Sequence, residues 1–130
     1  MSGTAIISAL LCASPTVLAA VPEGNIWSGG LPEGTATPSL LSTSISDVDS
    51  HGLTGGARLT TERVQVTIRT ATHRERAALI ALVKLACDGA SGAIAGSAVL
   101  DVVSAGKGPD FQDDASVWLT SVDFRVTFRP

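Results

Sequence analysis

His51, His73, Cys12, Cys87 and the trio Asp110, Asp113 and Asp114 are the residues from which this chain would have to build a metal site or a nucleophilic centre. His51 stands near Asp47 and Asp49 in a Gly-rich stretch, which imitates a metal-binding loop. Zinc needs four converging ligands, and no second His or Cys lies at ligand spacing, so a solvated loop histidine is the favoured reading. His73 falls in the first turn of an expected helix, a surface position. The three aspartates lie within five residues, beside Pro109 and Phe111. A calcium loop sets oxygen ligands at alternate positions and closes on a Glu, and that spacing is not met. The aspartates read as a solvated turn or, more sharply, as a contact loop that meets a basic patch on a neighbour. The Gly-rich stretches 28–34, 52–56 and 89–96 lack the Lys-Ser/Thr ending of a phosphate loop. Gly89-Ala-Ser91-Gly-Ala93 lacks the final glycine of a nucleophile elbow. Cys12 and Cys87 each sit in an apolar run and read as buried thiols rather than a disulfide. No nucleophile, base and metal set can be assembled from these residues, and no cofactor or metal is expected.

The charges point the same way. Nine basic residues oppose twelve acidic ones, a net charge of −3, which gives no electrostatic reason for tight DNA binding. The basic residues are scattered, and no aromatics interleave with them as in a single-strand binder. Hydrophobic residues make up 45% and charged residues 16%, against about 25% charged in an ordinary soluble chain. A surface left to Ser, Thr, Ala and Gly suits burial against partner subunits. A chain of 130 residues implies one domain with no need of disulfides. Residues 1–22 imitate a secretory signal, but they contain no Lys or Arg and are interrupted at Ser14-Pro15. They are expected to form packed helix in a cytoplasmic protein.

The elements that would position these residues follow from periodicity. Thr4 is placed to cap a helix over 5–13 with Ile6, Ile7, Leu10 and Leu11 inward. Ser14-Pro15 starts a second short helix ending near Val21. Ile26-Trp27 reads as a short extended piece, and 28–38 as an irregular loop. Leu41, Thr43 and Ile45 share one face of a first strand. Asp47 to Ala57 reads as a flexible loop or a hairpin that orders only against a partner. Arg58 to Thr70 is a strand with Val64, Val66 and Ile68 on one side and Arg63, Gln65, Thr67 and Arg69 on the other. Thr72 and Glu75 form a capping box for a long helix over 73–88, with Ala78, Leu79, Leu82, Val83 and Ala86 inward and Gly89 as its stop. A strand over 98–104, a loop over 106–115 and a last strand over 116–128 complete the chain. In the last strand Val122-Asp-Phe-Arg-Val-Thr-Phe128 alternates without error, which puts Phe124 and Phe128 on a buried face. The expected fold is α+β: a two-layer sandwich with a mostly antiparallel sheet of about four strands. The long helix and the N-terminal helix cover one sheet face.

In order and spacing, these pieces resemble the tail completion, or tail terminator, proteins of long-tailed bacteriophages, prophages and gene-transfer particles. The residues that carry the resemblance begin with the apolar start Ile6 to Val21 and the segment Asn25-Ile26-Trp27. Pro32 and Pro38-Ser39-Leu40 come next, then Glu62-Arg-Val-Gln-Val-Thr-Ile68. The helix ending in Cys87-Asp88-Gly89 and the closing strand to Phe128 complete the match. Tyrosine is absent, and Phe111 is the only aromatic in the loop before the last strand, where family members often carry more. The resemblance implies a structural virion protein, not an enzyme. It would assemble in the bacterial cytoplasm as a homohexameric ring, cap the tail-tube protein and meet the head–tail connector. DNA would pass through the ring without sequence reading, and no membrane is involved. Candidate contact loops are 47–58 and 106–115. Candidate contact residues are Arg58, Glu62, Arg63, Arg69, Asp110, Phe111, Asp113, Asp114 and Arg125. The alternatives are another neck component such as a head–tail adaptor, a small enzyme or ligand-binding domain, and a secreted domain.

Overall fold

A computed structural model describes residues 3–32, 34, 36–51, 58–113 and 116–129, with backbone alone at 49–51 and 58. The chain opens with helix α1 (Gly3–Cys12), which begins before the expected start and takes Thr4 into its first turn. Helix α2 (Pro15–Ala20) starts as its sequence dictates: Ser14 Oγ accepts from the Val17 amide at 3.4 Å, and Pro15 occupies the first turn. A single 3-10 turn leads into β1 (Ile26–Ser28). Two long strands follow, β2 (Ser39–His51) and β3 (Arg58–Thr70). Helix α3 (His73–Cys87) is capped by Thr72, whose Oγ1 accepts from the Glu75 amide at 3.2 Å. Gly89, at φ +80°, supplies the left-handed residue that ends it. Strands β4 (Gly92–Ile94), β5 (Ser97–Lys107), β6 (Phe111–Gln112) and β7 (Trp118–Arg129) complete the fold.

All the strands join one sheet in the order β1-β2-β3-β7-β5-β4, with β6 beside the start of β7. The pairings are antiparallel except β1 with β2. The fold is α+β, as expected, but the sheet has seven strands rather than about four. The difference lies in β1, β4 and β6, each of two or three residues. Such short pieces are held by the ladder of a neighbour and carry no periodicity of their own. A second correction concerns Asp47 to His51, which continue β2 instead of forming a loop; residues 52–57 lie outside the described ones.

Helices α1 and α3 pack against each other and against the same sheet face. Their buried side chains Ile6, Ile7, Leu11, Leu79, Val83 and Cys87 meet Val64, Val66, Ile68, Val122, Phe124, Val126 and Phe128 in one core. The inward face of β2 is Leu40 and Ser42, so Leu41 and Thr43 point outward and Ile45 sits in a β-bulge. The α3 stripe is also rotated from expectation: Ala78 is exposed, and Arg76 and Cys87 are buried. Both cysteines are free thiols. Burial, with a smaller push from the Asp88 charge, drives the Cys87 thiol up to about 12.

Phe124 is fully buried, so Phe124→Ala should cost about 3–5 kcal/mol in urea denaturation. An unchanged midpoint would place its ring outside the core. Cys87 should resist a thiol reagent at pH 8 until the protein unfolds, because the thiolate is the reactive form. Modification of the folded protein at Cys87 as fast as that of a free thiol would contradict its burial.

Candidate assembly surface

Among the described residues no helix covers the sheet face turned away from α1 and α3. On β3 it presents Thr61, Arg63, Gln65, Thr67 and Arg69, the alternate residues to the buried Val64, Val66 and Ile68. On β7 it presents Asp123, Arg125, Thr127 and Arg129, and on β5 Asp101 and Val103. This face is a lattice of small polar contacts. Gln65 Nε2 donates to Ser121 Oγ at 3.1 Å, and the Thr61 and Thr127 hydroxyls meet at 3.4 Å. No aromatic ring stands among the residues named on it. Four arginines and two aspartates make it net basic on a chain that is net acidic.

Two of the arginines proposed from the sequence are engaged inside the chain. Arg63 Nε donates to Asp123 Oδ2 at 2.9 Å, its Nη2 lies 2.8 Å from the same oxygen, and Nη2 also donates to the Ala105 carbonyl at 3.3 Å. Arg69 Nη1 donates to Ser39 Oγ at 2.9 Å. Arg125 differs. It lies directly opposite Arg63 across the β3–β7 ladder, and no carboxylate among the described residues pairs with it. Like charges directly opposite each other are unfavourable in a sheet.

Glu62 is corrected more sharply. It points to the helix side of β3 and is 5% exposed beneath the first turn of α1, where Gly3 packs against it. A neighbouring subunit cannot touch it without displacing that helix. Its Oε2 has no hydrogen-bond partner among the described residues. A carboxylate there faces the positive end of α1. Only the backbone of Arg58 is described, and Asp114 lies outside the described residues.

The loop after β5 is tied down from several sides. Gly108 donates its amide to the Ser121 carbonyl at 2.8 Å, and a Cβ at Gly108 would overlap Ser121 Oγ. Asp110, expected as an outward contact, instead anchors the loop to α3. Its Oδ1 lies 2.7 Å from Arg76 Nη1 and 2.7 Å from Lys107 Nζ. Lys107, hydrogen-bonded to the carboxylate, and the Arg76 guanidinium hold the Asp110 carboxyl below its ordinary range. Arg76 is itself buried, and its Nη2 donates to His73 Nε2 at 2.7 Å. The His73 ring meets Trp118 edge-on at a centroid distance of 5.1 Å. Asp113 shapes the turn into β7, its Oδ1 accepting from the Val117 amide at 2.9 Å. Phe111 lies on β6 with its ring 54% exposed. Arg76 and His73 were not legible as anchors, because their partners lie at the far end of the chain.

The two ends of the sheet are unlike. Along β5, the Val102 carbonyl accepts from the Gly89 amide at 2.7 Å, and the Ser104 amide donates to Asp88 Oδ1 at 3.0 Å. The turn that ends α3 therefore closes that edge. At the other end β1 pairs only with Leu40, Leu41 and Ser42, so among the described residues β2 from Thr43 onward has no strand on its outer side. Ile45 is 51% and Val48 64% exposed along that stretch.

The helical side carries two shallow depressions. One is lined by Ala20, Pro38, Glu75, Ala78, Leu79 and Leu82, the other by Ala81, Lys84, Leu85 and Asp88. Neither lining set brings a nucleophile to a base. No group of His, Cys, Asp and Glu able to hold a metal occurs among the described residues. No helix among them is long and apolar enough to cross a membrane.

The family model described as tail completion protein gp17 matches residues 4–129. The chain belongs to that family. It is a structural protein of the virion, placed in the tail or neck. Among curated proteins no sequence matches. Among solved structures the fold is similar to a chain of the virion of a native gene transfer agent particle. The TM-score is 0.75 at 14% identity, covering 99% of this chain and 96% of that one. That likeness gives the fold; the family model gives the class of protein. For a tail completion protein, an uncovered sheet face and an open strand border are material for assembly rather than for catalysis.

Stability should register the Asp110 anchor through pH. A carboxylate whose folded value is lowered contributes stability above its unfolded value near 3.9, and that contribution vanishes as pH falls through the lower folded value. The thermal midpoint of the wild type should therefore fall below about pH 4 by more than that of Asp110→Asn, which already lacks the charge. Parallel curves for the two proteins would remove Asp110 from this role.

Proposed function

We propose that this tail completion protein caps the tail tube as a ring of identical subunits and presents the tail-side surface that joins the filled head. Its partners are then other copies of itself, the tail-tube protein and the head–tail connector protein. The observation that carries the reading is the inequality of its surfaces. One sheet border is closed by Asp88 and Gly89, and the other, along β2, is open. A contact between unlike patches is head-to-tail, and head-to-tail contacts generate rings when the rotation closes. The loop from Gly108 to Asp113 meets the tube or the connector as a preformed ledge, held by Arg76 and presenting Phe111. DNA passes through the ring as a charged rod and is not read: on β3, β5 and β7 the sheet face offers arginines and hydroxyls, which suit phosphates.

Electron microscopy of the purified protein with tail tubes tests this directly. Ring-shaped density closing one end of each tube is expected. Tube ends that stay bare, with the protein bound instead to portal rings, would favour the head–tail adaptor reading. A solitary monomer that binds neither would end both.

A further inference from the structure

The β2–β3–β7 region contains two like-charge pairs set side by side in the ladder. Asp47 lies directly opposite Glu62, and the next residue, Arg63, lies directly opposite Arg125. Side chains alternate across a sheet, so the acidic pair points to the helix side and the basic pair to the uncovered side. Each pair is unfavourable within one chain. Each is also only half compensated. Glu62 is sheltered under the start of α1, while Asp47 is exposed and joins no ion pair among the described residues. Arg63 holds Asp123, while Arg125 is exposed and holds no carboxylate among them.

The exposed member of each pair stands among exposed apolar side chains. Asp47 and Val48 are neighbours on the open border of β2, Asp47 turned to the helix side and Val48, opposite Thr61, to the uncovered side, with Ile45 in the bulge beside them. From Ser39 to Ser50 this strand contains two aspartates and no Lys or Arg. Arg125 is directly opposite Val103 of β5, which is 42% exposed, and Leu100 is exposed on the same strand. The β2 border is therefore acidic and apolar, and the β7–β5 face is net basic and apolar.

We infer that the two patches are partners: the Asp47 border of one copy seats on the Arg125 face of the next. This deepens the ring reading and rests on it. The occupant is a second copy of this chain because the complement of each patch is found on the chain itself. The contact relieves both repulsions at once, each surplus charge meeting its opposite, while Val48 and Ile45 lose water against Val103 and Leu100. The β5 border favours one direction: its Val102 carbonyl and Ser104 amide are already hydrogen-bonded, so each copy offers one acidic border and one basic face.

Charge reversal tests the pairing, read by mass photometry and sedimentation of the purified full chain and by occupancy of tail-tube ends. Asp47→Arg alone and Arg125→Asp alone should each weaken self-association about tenfold, since an exposed attraction becomes a repulsion. Both variants should keep the wild-type thermal midpoint or exceed it, because each removes a like-charge pair. An equimolar mixture of the two should regain assembly, because every contact in an alternating ring then joins opposite charges. The double variant should regain it as well. Rings that form normally from either single variant, or a mixture that assembles no better than its components, would overturn the pairing and leave the ring standing. A wild-type chain that neither self-associates nor caps tubes would remove the ring, and the pairing with it.

Discussion

The antiparallel ladder between β3 and β7 holds the molecule together, because it is at once the centre of the sheet and the floor of the core. Every residue from Thr60 to Thr70 pairs with one from Trp118 to Phe128. The alternate residues of both strands, Val64, Val66, Ile68, Val122, Phe124, Val126 and Phe128, are buried beneath α1 and α3. Since the side-chain period is two, a slip of one residue would turn this whole set outward and the arginines inward. That cost pins the register, and the pinned register places Arg63 opposite Arg125 and Gln65 opposite Asp123. The surface pattern is thus a by-product of the same constraint that builds the core.

From this ladder the polar anchors extend outward. Arg76 sits within the helical layer, where an unpaired guanidinium would be costly, and it is met by Asp110 from a loop more than thirty residues later. His73 and Trp118 complete the same contact from α3 and β7. Asp113 and Gly108 tie the two ends of the loop to β7. A stretch that composition alone marks as solvated is therefore a fixed ledge. Its acidic residues serve the fold, and the exposed Phe111 is what it offers outward.

The sparse charge of the chain takes on meaning beside this architecture. Ala77, Ala78, Ala81 and Leu85 run along the solvent side of α3, where a monomer would ordinarily place charged residues. The opposite sheet face is polar and net basic, one border is capped by Asp88 and Gly89, and the other is open. A molecule with three kinds of surface is suited to meet unlike neighbours. In the proposed ring these surfaces supply direction: which side meets another copy, and which sides remain for the tube and the head.

The elements whose signals are local could be read from residue order alone. The β3 limits, the Thr72 cap, the Ser14-Pro15 helix start, the Gly89 stop and the buried face of β7 follow from periods of 2 and 3.6 and from backbone chemistry within a few residues. The family resemblance rested on the order of these same pieces, and so it was legible too. Only the tertiary structure decided what depends on distant neighbours. Strands β1 and β4 exist because longer strands offer them a ladder, and β2 runs to His51 because β3 pairs with it. Arg76 turns inward and Glu62 lies under α1 because Asp110 and Gly3 arrive there from far along the chain. Of the contact residues read from sequence, Arg125 and Phe111 keep an outward, unengaged side chain, while Asp110, Arg63 and Arg69 are held within the chain. Residue type shows that a charge is present; whether it is spent inside or left for a partner is set by which strands and loops come to lie beside it.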